Sequence, residues 1–523
     1  MGEADDVQEE RVATGVEGLD AILGGGLPAK HVYLIQGDAG CGKTTLALQF
    51  LLAGVRAGEA GLFVTLSETR AELLAVAKSH GWSLDGVAVY EVRADEGHLK
   101  PEEEYTAFHP SEVELGEAIQ HLLEEVERVK PRRVVIDSLS EMRLLARDPL
   151  RYRRQILALK QFFVSRDCTV VFLDDPASKV GEHQFQTLAH GVIVLERASP
   201  AYGRARRRVQ VVKLRGVDFD DGYHDLAVRK GGLVVFPRLP AAEAEPPAAA
   251  ERVGSGLPAL DAMLGGGPTR GTSLLVVGST GAGKSTLCAQ YAVAAAARGE
   301  QVAFFTFDER LDTLMSRSAG IGMDLRGHVK SGRVFADQID PAEMSPGEFV
   351  HRVRQAVEQD NARVVVIDTL NGYLNAMPGE RFLTALMHEL LTYLGERGVL
   401  TLVVVAQHGI IGSALATPVD LSYLADTVLV MRFFEHGGRV RKSVAAVKTR
   451  SGGHEDSIRE FRITAGGVLV GEPLTDFNGV LSGLPEFTGS GPLLREAGGG
   501  AGEVPRGGPT GTAGTEHRGD GDA

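Results

Sequence analysis

An internal repeat constrains the fold of this 523-residue chain more than any other feature of its sequence. The segment TGVEGLDAILGGG at 14–26 returns as SGLPALDAMLGGG at 255–267, and GDAGCGKTT at 37–45 returns as GSTGAGKST at 278–286. Both pairs of segments lie 241 residues apart. Because this spacing is the length of a whole domain rather than of a small structural repeat, we predict two copies of one domain.

The repeat divides the chain into five segments. We predict an acidic N-terminal segment at 1–10, a first domain at 11–238, a linker at 239–252, a second domain at 253–480 and a tail at 481–523. The linker is rich in Pro, Ala and Glu, which suits a short, semi-rigid spacer. The tail is rich in Gly and Pro and cannot bury enough apolar surface to fold, so we predict that it is disordered.

Each copy alternates short apolar runs with longer amphipathic stretches. In the first copy these runs predict strands at 32–36, 61–66, 133–136, 169–173 and 192–195. Continuous apolar runs are typical of parallel strands that are covered on both faces. The predicted fold class is therefore α/β, with two tandem domains in which helices sandwich a mainly parallel sheet.

Local signals predict several element boundaries. Ser111 with Glu114 fits a capping box at a helix N-terminus, as does Ser345 with a glutamate three residues later, and Pro346 suits the first helical position. The segments at 204–214 and 439–449 predict strands of β-hairpins.

The pattern G-x-x-x-x-G-K-[ST] occurs once in each copy, after an apolar run and before a helical stretch. The predicted phosphate-binding residues are Gly37, Asp38, Ala39, Gly40, Cys41, Gly42, Lys43, Thr44 and Thr45 in the first copy and Gly278, Ser279, Thr280, Gly281, Ala282, Gly283, Lys284, Ser285 and Thr286 in the second. Glycines let backbone N–H groups surround phosphates, and the lysine neutralises their charge. The hydroxyl of Thr44 or Ser285 is expected on Mg²⁺. The pattern predicts ATP and Mg²⁺ as ligands of both copies.

An acid follows a later apolar run in each copy. Asp137 ends RRVVID, and Asp368 ends RVVVID, about one hundred residues after the phosphate loop. A strand that ends in aspartate is common, but its recurrence at the same place in both copies is informative. We predict that Asp137 and Asp368 hold the magnesium shell.

Taken together, these residues resemble the RecA superfamily and, within it, the KaiC family. The resemblance covers about residues 11–470 and includes the G-L-D-x-x-L-G-G-G opening at 18–26, the basic elements KLRG at 213–216 and KTRS at 448–451, and HEDSIREFRI at 454–463. It implies two RecA-like P-loop domains, ATP hydrolysis and a hexameric double ring with ATP between protomers. The partners it implies are other copies of the chain and signalling proteins that the sequence does not identify.

The resemblance also implies roles for further residues. In the RecA superfamily a carboxylate after the strand beside the phosphate-loop strand orients the attacking water, and this position matches Glu68 in the first copy and Asp308 with Glu309 in the second. The alternative is an acid at a strand end that faces solvent. The basic pairs that approach a neighbour's γ-phosphate match Lys213 with Arg215 and Lys448 with Arg450. Gln407 lies close to the position of a polar γ-phosphate sensor.

Some positions depart from the family pattern. Ser67 precedes Glu68 where the family has a second acid, and the tail does not resemble the tails of KaiC proteins. The autophosphorylation pair of KaiC falls on Ser422 and Tyr423, so Ser422 is the one candidate phosphosite; the alternative is that Ser422 caps a helix or strand. Asp174 and Asp175 follow the fourth strand of the first copy, where the second has Gln407 and His408, so the two sites are expected to behave differently.

Charge and composition narrow the possible partners. The net charge of −14 argues against general binding of nucleic acid, although Arg204, Arg206, Arg207 and Arg208 form a local basic cluster. This cluster is a nucleic-acid contact, a solvated hairpin or a subunit contact. No apolar run of 18 residues predicts a membrane span, and MGEADDVQEE lacks the apolar centre of a signal peptide, so we expect a cytoplasmic protein.

The three cysteines predict neither a disulfide framework nor a zinc site. Cys41 lies in the first phosphate loop, where a helix N-terminus could lower the pKa of its thiol. It is therefore either a redox-sensitive residue or a small residue that fits the loop.

Three functions fit the sequence. The first is an ATPase whose second domain also phosphorylates itself on serine or threonine. The second is a nucleotide-gated scaffold, in which ATP drives ring assembly and partner binding. The third is a RecA-like ATPase that handles DNA, which salt-dependent binding to single-stranded DNA would support. The acids and basic pairs favour the first over the second, and the acidic charge balance weighs against the third.

Overall fold

Two nine-stranded sheets dominate the fold, one formed by each copy of the repeat. A computed structural model of the protein describes residues 10–92, 110–146, 148–175, 183–200, 203–239, 251–375, 382–407, 425–450, 452–481 and 486–489. No helix within these ranges is long and apolar enough to cross a membrane.

The strands of the two large sheets follow one another in the same order in both halves, whereas the elements outside these sheets differ in part. The helices are α1 (Glu17–Ile22), α2 (Lys43–Arg56), α3 (Arg70–His80), α4 (Pro110–Val129), α5 (Leu139–Ala146), α6 (Pro149–Val164), α7 (His183–Leu188), α8 (Pro258–Met263), α9 (Lys284–Ala297), α10 (Leu311–Gly320), α11 (Leu325–Lys330), α12 (Pro346–Glu358), α13 (Leu370–Asn375) and α14 (Leu383–Glu396). The strands of the first half are β1 (Arg11–Val12), β2 (Leu27–Pro28), β3 (Val32–Gly37), β4 (Gly61–Thr65), β5 (Val87–Glu91), β6 (Arg133–Asp137), β7 (Thr169–Asp174), β8 (Gly191–Ala198), β9 (Arg206–Leu214), β10 (Tyr223–Arg229) and β11 (Gly232–Phe236). Those of the second half are β12 (Ser273–Ser279), β13 (Gln301–Thr306), β14 (Val334–Gln338), β15 (Ala362–Asp368), β16 (Leu400–Gln407), β17 (Thr427–His436), β18 (Arg439–Thr449), β19 (Ile458–Thr464), β20 (Gly467–Pro473), β21 (Phe477–Asn478) and β22 (Glu486–Phe487).

The two large sheets have the same strand order. The first runs β11-β10-β9-β8-β3-β7-β6-β4-β5, and the second runs β20-β19-β18-β17-β12-β16-β15-β13-β14. In each sheet six strands are parallel and the last three form an antiparallel extension. These are two tandem RecA-like α/β domains, as predicted, and the strand that leads into the phosphate loop lies at the centre of each sheet.

Both faces of the central parallel strands of each sheet are buried, which explains the continuous apolar runs. On β3, Tyr33 and Ile35 pack on one face with α2, whereas Val32 and Leu34 pack on the other with α6. The second domain repeats this arrangement around β12. Successive side chains of a strand point to opposite faces, so a strand that is covered on both sides is apolar at every position.

Most of the predicted elements are confirmed. All five predicted strands of the first copy are present as β3, β4, β6, β7 and β8, and both predicted hairpin strands are present as β9 and β18. Ser345 caps α12, because its hydroxyl accepts the N–H of Glu348, and Pro346 is the first helical residue. The helix predicted to begin after Ser111 begins slightly earlier, at Pro110. The side chains of its predicted capping box lie outside the described residues.

The tail is not disordered over its whole predicted length. Leu481 packs partly buried against the core of the second domain, and the strand Glu486–Phe487 pairs with Phe477–Asn478. The prediction of disorder is wrong for these residues, because the ring of Phe487 finds apolar partners: its centroid lies 5.0 Å from that of Phe477 and 4.5 Å from that of His436. Residues 490–523, and 240–250 of the linker, lie outside the described residues.

The two domains contact each other through the hairpin of β8 and β9. Near its tip Arg204 pairs with Glu343 at 3.1 Å, and Arg206 donates to the carbonyl of Pro341 at 2.6 Å. Closer to the sheet, Arg207 donates to the carbonyl of Gly40 at 3.1 Å. The basic cluster of the sequence therefore makes contacts within the chain, an arrangement that the sequence did not predict.

Strand β10 extends this contact to helix α12. The carboxylate of Asp225 accepts the N–H of Gly347 at 2.7 Å in the first turn of α12. It also lies 3.6 Å from Arg208. Arg229, at the end of β10, pairs with the buried Glu348. Strand β10 of the first domain thus contacts the N-terminal turn of α12 in the second, through one hydrogen bond and one ion pair.

Candidate nucleotide sites

Each phosphate loop lies where the central strand of a sheet meets a helix. A Cβ on Gly37 would lie 2.3 Å from the carbonyl oxygen of Leu195, and one on Gly278 would lie 2.3 Å from that of Met431, so only glycine fits. Gly42 and Gly283 precede α2 and α9 with φ of 115° and 108°, a left-handed conformation that favours glycine. Among the described residues no side chain caps either helix, and the backbone N–H groups are available to an anion.

The two phosphate-loop lysines have different partners. Lys43 donates to the carbonyl of Gly37 at 2.6 Å and forms an ion pair with Asp175 at 2.5 Å. Lys284 donates to the carbonyl of Ser279 at 2.8 Å. Burial lowers the pKa of Lys284, and the charge of Asp368 offsets part of this shift. The first lysine is thus already neutralised by a side chain, whereas the second faces the strand-end aspartate.

Asp137 and Asp368 end β6 and β15 beside the phosphate loops. Both are buried, and in both domains the peptide bond that follows is cis. Burial raises the pKa of Asp137 to about 7, and the charge of Glu68 adds to the shift. Burial likewise raises the pKa of Asp368 to about 6, and Glu309 adds to it.

The chemistry of these carboxylates fits a divalent cation. Both carboxylate oxygens of Asp368 are buried without a hydrogen bond of normal geometry in the described part of the chain, and the hydroxyl of Ser285 lies near enough to lower the pKa of this carboxyl against the effect of burial. Thr44 and Ser285 lie in the first turns of α2 and α9, directly after the lysines. An unsatisfied buried carboxylate and a hydroxyl beside a phosphate loop are oxygen ligands of the type that Mg²⁺ prefers.

Glu68 and Glu309 occupy equivalent turns after β4 and β13. Contrary to the prediction from the sequence, these strands do not lie beside the phosphate-loop strands but are separated from them by two other strands. The hydroxyl of Thr65 donates to the carbonyl of Glu68 at 2.7 Å, and that of Thr306 donates to the carbonyl of Glu309 at 3.0 Å. One carboxylate oxygen of Glu68 is buried without a hydrogen-bond partner among the described residues. Burial raises the pKa of Glu68, and the nearby Glu72 adds to the shift. Glu68 therefore faces the interior of the site rather than bulk solvent.

The second acid of the second domain contacts the residue after Asp368. The hydroxyl of Thr369 donates to Asp308 at 2.5 Å. The corresponding residue of the first domain is Ser67, which carries no charge. Sequence reasoning missed Arg317, whose guanidinium binds Glu309. Comparing the two copies position by position would have shown it, because Val76 stands at the equivalent place.

Strands β7 and β16 end at different positions: β7 ends at Asp174, whereas β16 continues to Gln407, opposite Ser279. Gln36 of β3 pairs with Asp174, whereas the equivalent Val277 of β12 pairs with Val405. The direct comparison of Asp174 with Gln407 was therefore wrong, since Asp174 corresponds to Val405. Arg143 pairs with Asp174 at 2.9 Å, so the charge of this carboxylate is balanced.

Gln407 ends β16 beside Ser279 of the second phosphate loop. Its side chain is buried, and neither its amide nitrogen nor its amide oxygen has a hydrogen-bond partner within the described ranges, which stop at this residue and resume at 425. An amide in this state can accept and donate hydrogen bonds to a bound group. His408, Ser422 and Tyr423 lie outside the described residues.

Three of the four residues in the predicted basic pairs donate to backbone carbonyls, and the fourth, Arg450, pairs with a carboxylate; none of these partners belongs to a phosphate loop. Lys213 donates to the carbonyls of Gln186 and Ala189 at 2.8 Å each, and Arg215 donates to that of Thr187 at 2.8 Å. In the second domain Lys448 donates to the carbonyl of Ala425 at 2.8 Å, and Arg450 pairs with Asp426 at 3.5 Å. Both pairs thus lie at the start of the antiparallel extension of their sheets.

The described residues include an aromatic pair next to the first phosphate loop. The imidazole of His80 lies 3.5 Å from the hydroxyl of Thr45 and donates to the carbonyl of Arg229 at 2.8 Å. Its ring centroid is 4.7 Å from that of Trp82. This contact connects helix α3 to the helix that follows the phosphate loop.

Cys41 is a packing residue of the first loop. Its side chain is fully buried, and burial raises the pKa of its thiol, although Lys43 offsets part of the shift. The suggestion that the helix N-terminus activates this thiol is wrong, because the loss of hydration outweighs the nearby positive charge.

The fold and the two loops define a class of protein: a tandem P-loop ATPase of the RecA type. The family model described as "ATPase: KaiC" matches residues 12–240 and 253–475. The chain belongs to the KaiC ATPase family.

Curated relatives match nearly the whole chain. The circadian clock protein KaiC3 of Synechocystis sp. is 26% identical over 498 residues, which cover 94% of this chain and 97% of that protein. The circadian clock oscillator protein KaiC of Parasynechococcus marenigrum is 26% identical and covers 92% of this chain and 94% of its own length. That of Picosynechococcus sp. is 25% identical over 487 residues. The chain is similar to these proteins over both domains rather than in one domain alone.

Proposed function

We propose that the protein binds Mg²⁺–ATP at both phosphate loops and hydrolyses it. The observation that carries this proposal is that the same set of groups recurs at equivalent positions in both domains: an uncapped helix with its lysine, a buried aspartate with a raised pKa and a glutamate held by a threonine turn. Such a set binds the phosphates, holds a cation and orients water.

Each group has a distinct role in this proposal. The loop N–H groups and Lys43 or Lys284 bind the phosphates. Thr44 with Asp137, and Ser285 with Asp368, would hold Mg²⁺, which neutralises the phosphate charge when it is bound. Glu68 and Glu309 orient the attacking water and accept its proton.

Calorimetry and turnover test both sites separately. Wild-type protein is expected to bind two ATP per chain in the presence of Mg²⁺, and Lys43→Ala and Lys284→Ala are each expected to bind one. Glu68→Gln with Glu309→Gln should retain binding and lose hydrolysis. One ATP per wild-type chain, or turnover that persists in the double glutamine variant, would contradict the proposal.

We further propose an ATP-stabilised homo-hexamer. Lys213, Arg215, Lys448 and Arg450 support it, because their side chains lie on the antiparallel extension rather than at their own loops and can act across an interface. Mass photometry with saturating ATP should show a particle six times the 55.7 kDa chain. A monomer at micromolar concentration would exclude the ring.

Autophosphorylation of Ser422 is the finer activity that the family membership suggests. The retained pair of acids, Asp308 and Glu309, in the second domain supports it. Wild type incubated with labelled ATP should incorporate phosphate, and Ser422→Ala should not, whereas Ser413→Ala in the same segment should behave as wild type. Equal labelling of all three, or of none, would leave a plain ATPase or a nucleotide-gated scaffold, and turnover separates these two.

A further inference from the structure

Arg317 bridges two parts of the second site. It lies on α10, eight residues after Glu309. Its Nε and Nη2 donate to the two carboxylate oxygens of Glu309 at 3.1 and 2.8 Å, and its Nη1 donates to the hydroxyl of Thr286 at 2.5 Å. Each of the three guanidinium nitrogens therefore makes one bond, and the glutamate is tied to the helix that follows the phosphate loop.

The environment of Arg317 restricts the motion of this bridge. The side chains of Arg317 and Glu309 are 30% and 23% exposed, and Thr286 is buried. A planar guanidinium that meets a carboxylate with two parallel bonds restricts both its position and its rotation. Because Thr286 belongs to α9, Glu309 cannot move relative to the phosphate loop without breaking at least one of these bonds.

The first domain has the same glutamate without the bridge. Val76 occupies the position of Arg317 and packs against the apolar core. Thr45, which corresponds to Thr286, faces His80 at 3.5 Å. The glutamate side chain is therefore restrained by an arginine in the second site but not in the first.

We infer that Arg317 is a positioning residue that restrains Glu309 and slows ATP hydrolysis at the second site relative to the first. This inference rests on the proposed ATPase function. When water attacks the γ-phosphorus, the bond to the bridging oxygen breaks, ADP leaves with that electron pair, and the water proton passes to Glu309. Both oxygens of Glu309 already accept a guanidinium N–H, so the carboxylate cannot turn toward the water to receive the proton without giving up one of these bonds.

Single-site turnover tests this restraint. In a Glu68→Gln background, where only the second site hydrolyses ATP, Arg317→Val copies the first domain. We expect kcat to rise about tenfold, which corresponds to the loss of one charge-assisted hydrogen bond, while KM for ATP stays unchanged. Arg317→Lys, which keeps the charge but not the planar fork, should give an intermediate rate. Arg326→Val removes an exposed arginine from α11 and should leave the rate unchanged.

The outcomes separate the restraint from the proposed function. Arg317→Val with Glu309→Gln should show no rise, because the residue that Arg317 restrains is no longer a base. Calorimetry confirms that Arg317→Val still binds ATP at the second site and is folded. An unchanged or lower kcat in Arg317→Val overturns the inference, even if Lys284→Ala shows that the first site hydrolyses ATP. If neither site hydrolyses ATP in any variant, the proposed function itself fails.

Discussion

Lys43 and Lys284 occupy the same place in the two halves of the chain but start from different electrostatic states. Lys43 is paired with Asp175, whose side chain is 45% exposed, whereas Lys284 is buried and donates to a backbone carbonyl. A phosphate that binds the first loop must displace a carboxylate from the lysine. At the second loop Lys284 is buried and therefore poorly hydrated, but no carboxylate forms an ion pair with it among the described residues. A phosphate that binds there displaces no side chain from the lysine.

Removal of the competing carboxylate should tighten ATP binding at the first site. An exposed ion pair contributes up to about 1 kcal/mol, so Asp175→Asn is expected to lower the Kd by up to about fivefold. Calorimetry on a Lys284→Ala background isolates the first site. The second site, measured in a Lys43→Ala background, serves as the control and should not respond to Asp175→Asn. Weaker binding at the first site would show that Asp175 contributes to the nucleotide site instead.

Asp137 should make the nucleotide-free protein less stable as the pH rises. Its pKa is about 7 in the folded chain and near 4 in an unfolded one, so the folded state binds more protons between these values and stability falls across this window. Asp137→Asn removes this dependence. We expect it to stabilise the Mg²⁺-free protein at pH 8 by about 2–4 kcal/mol and to change little at pH 4. Urea unfolding at both pH values measures this, and an equal pH dependence of the two proteins would contradict it.

The roles of residues at strand ends and in the phosphate loops could be predicted from the sequence, because phosphate and cation binding restrict which residue types can occupy these places. The partners of those residues could not. Lys43 meets Asp175 across 132 positions of chain, and this contact depends on the path of the residues that follow β7. Arg317 resembles any helical arginine in the sequence until the turn of α10 places it against Glu309.

At the scale of elements, the helix that follows each glutamate begins differently in the two domains. Thr69 caps α3 in a complete capping box with Glu72, directly after Glu68. The equivalent cap of α10 is Arg310, which makes no capping bond with its side chain. The turn of the first glutamate is therefore followed by a capped helix that leaves its side chain unrestrained. The side chain of the second is held by Arg317, almost two turns into its helix.

Loss of the cap should affect the first domain alone. Thr69→Ala removes the side-chain oxygen that accepts the N–H of Glu72, and we expect a loss of about 1 kcal/mol in stability and lower turnover at the first site. Arg310→Ala is the matched change in the second domain and should cost less than about 0.5 kcal/mol. Urea unfolding and single-site turnover measure both effects. Equal losses in the two variants would contradict the assignment.

Element prediction succeeded where one local rule decided the outcome. The apolar runs placed the five strands around β3, because every position of a doubly covered strand is buried. Element ends were harder. Thr69–Glu72 and Ser345–Glu348 both satisfy the capping-box rule in the sequence, but only the first pair forms the complete box. In the second pair Glu348 binds Arg229 instead, so Ser345 alone caps the helix. Contacts between domains override a local signal of this kind.

At the scale of the whole molecule, three ion pairs join the domains within the described ranges: Arg229 with Glu348, Arg204 with Glu343, and Arg238 with Glu389. The first two differ in burial. Glu348 pairs with Arg229, and its side chain is 8% exposed. Glu343 pairs with Arg204, and both of these side chains are more than half exposed. The presence of two equivalent domains and their order along the chain could be predicted from the repeat. This interface could not, since the residues that form it do not recur in both copies.

The buried pair should contribute most to the contact between the domains. Glu348→Ala leaves Arg229 without this partner and is expected to cost about 1–3 kcal/mol. Glu343→Ala removes an exposed pair of the same type and should cost less than about 0.5 kcal/mol. Denaturant unfolding of the whole chain compares them. If Glu343→Ala costs as much as Glu348→Ala, burial does not govern this interface.

The aromatic pair beside Thr45, His80 and Trp82, provides an intrinsic fluorescent probe of the first phosphate loop. Trp82 is the single tryptophan of the chain, and the ring of His80 links it to the helix of the first phosphate loop. Indole emission should therefore change when nucleotide binds at the first loop and stay unchanged when nucleotide binds only at the second loop. The change in emission should persist in Lys284→Ala and be lost in Lys43→Ala. Fluorescence would then report nucleotide binding at the first site separately from the second.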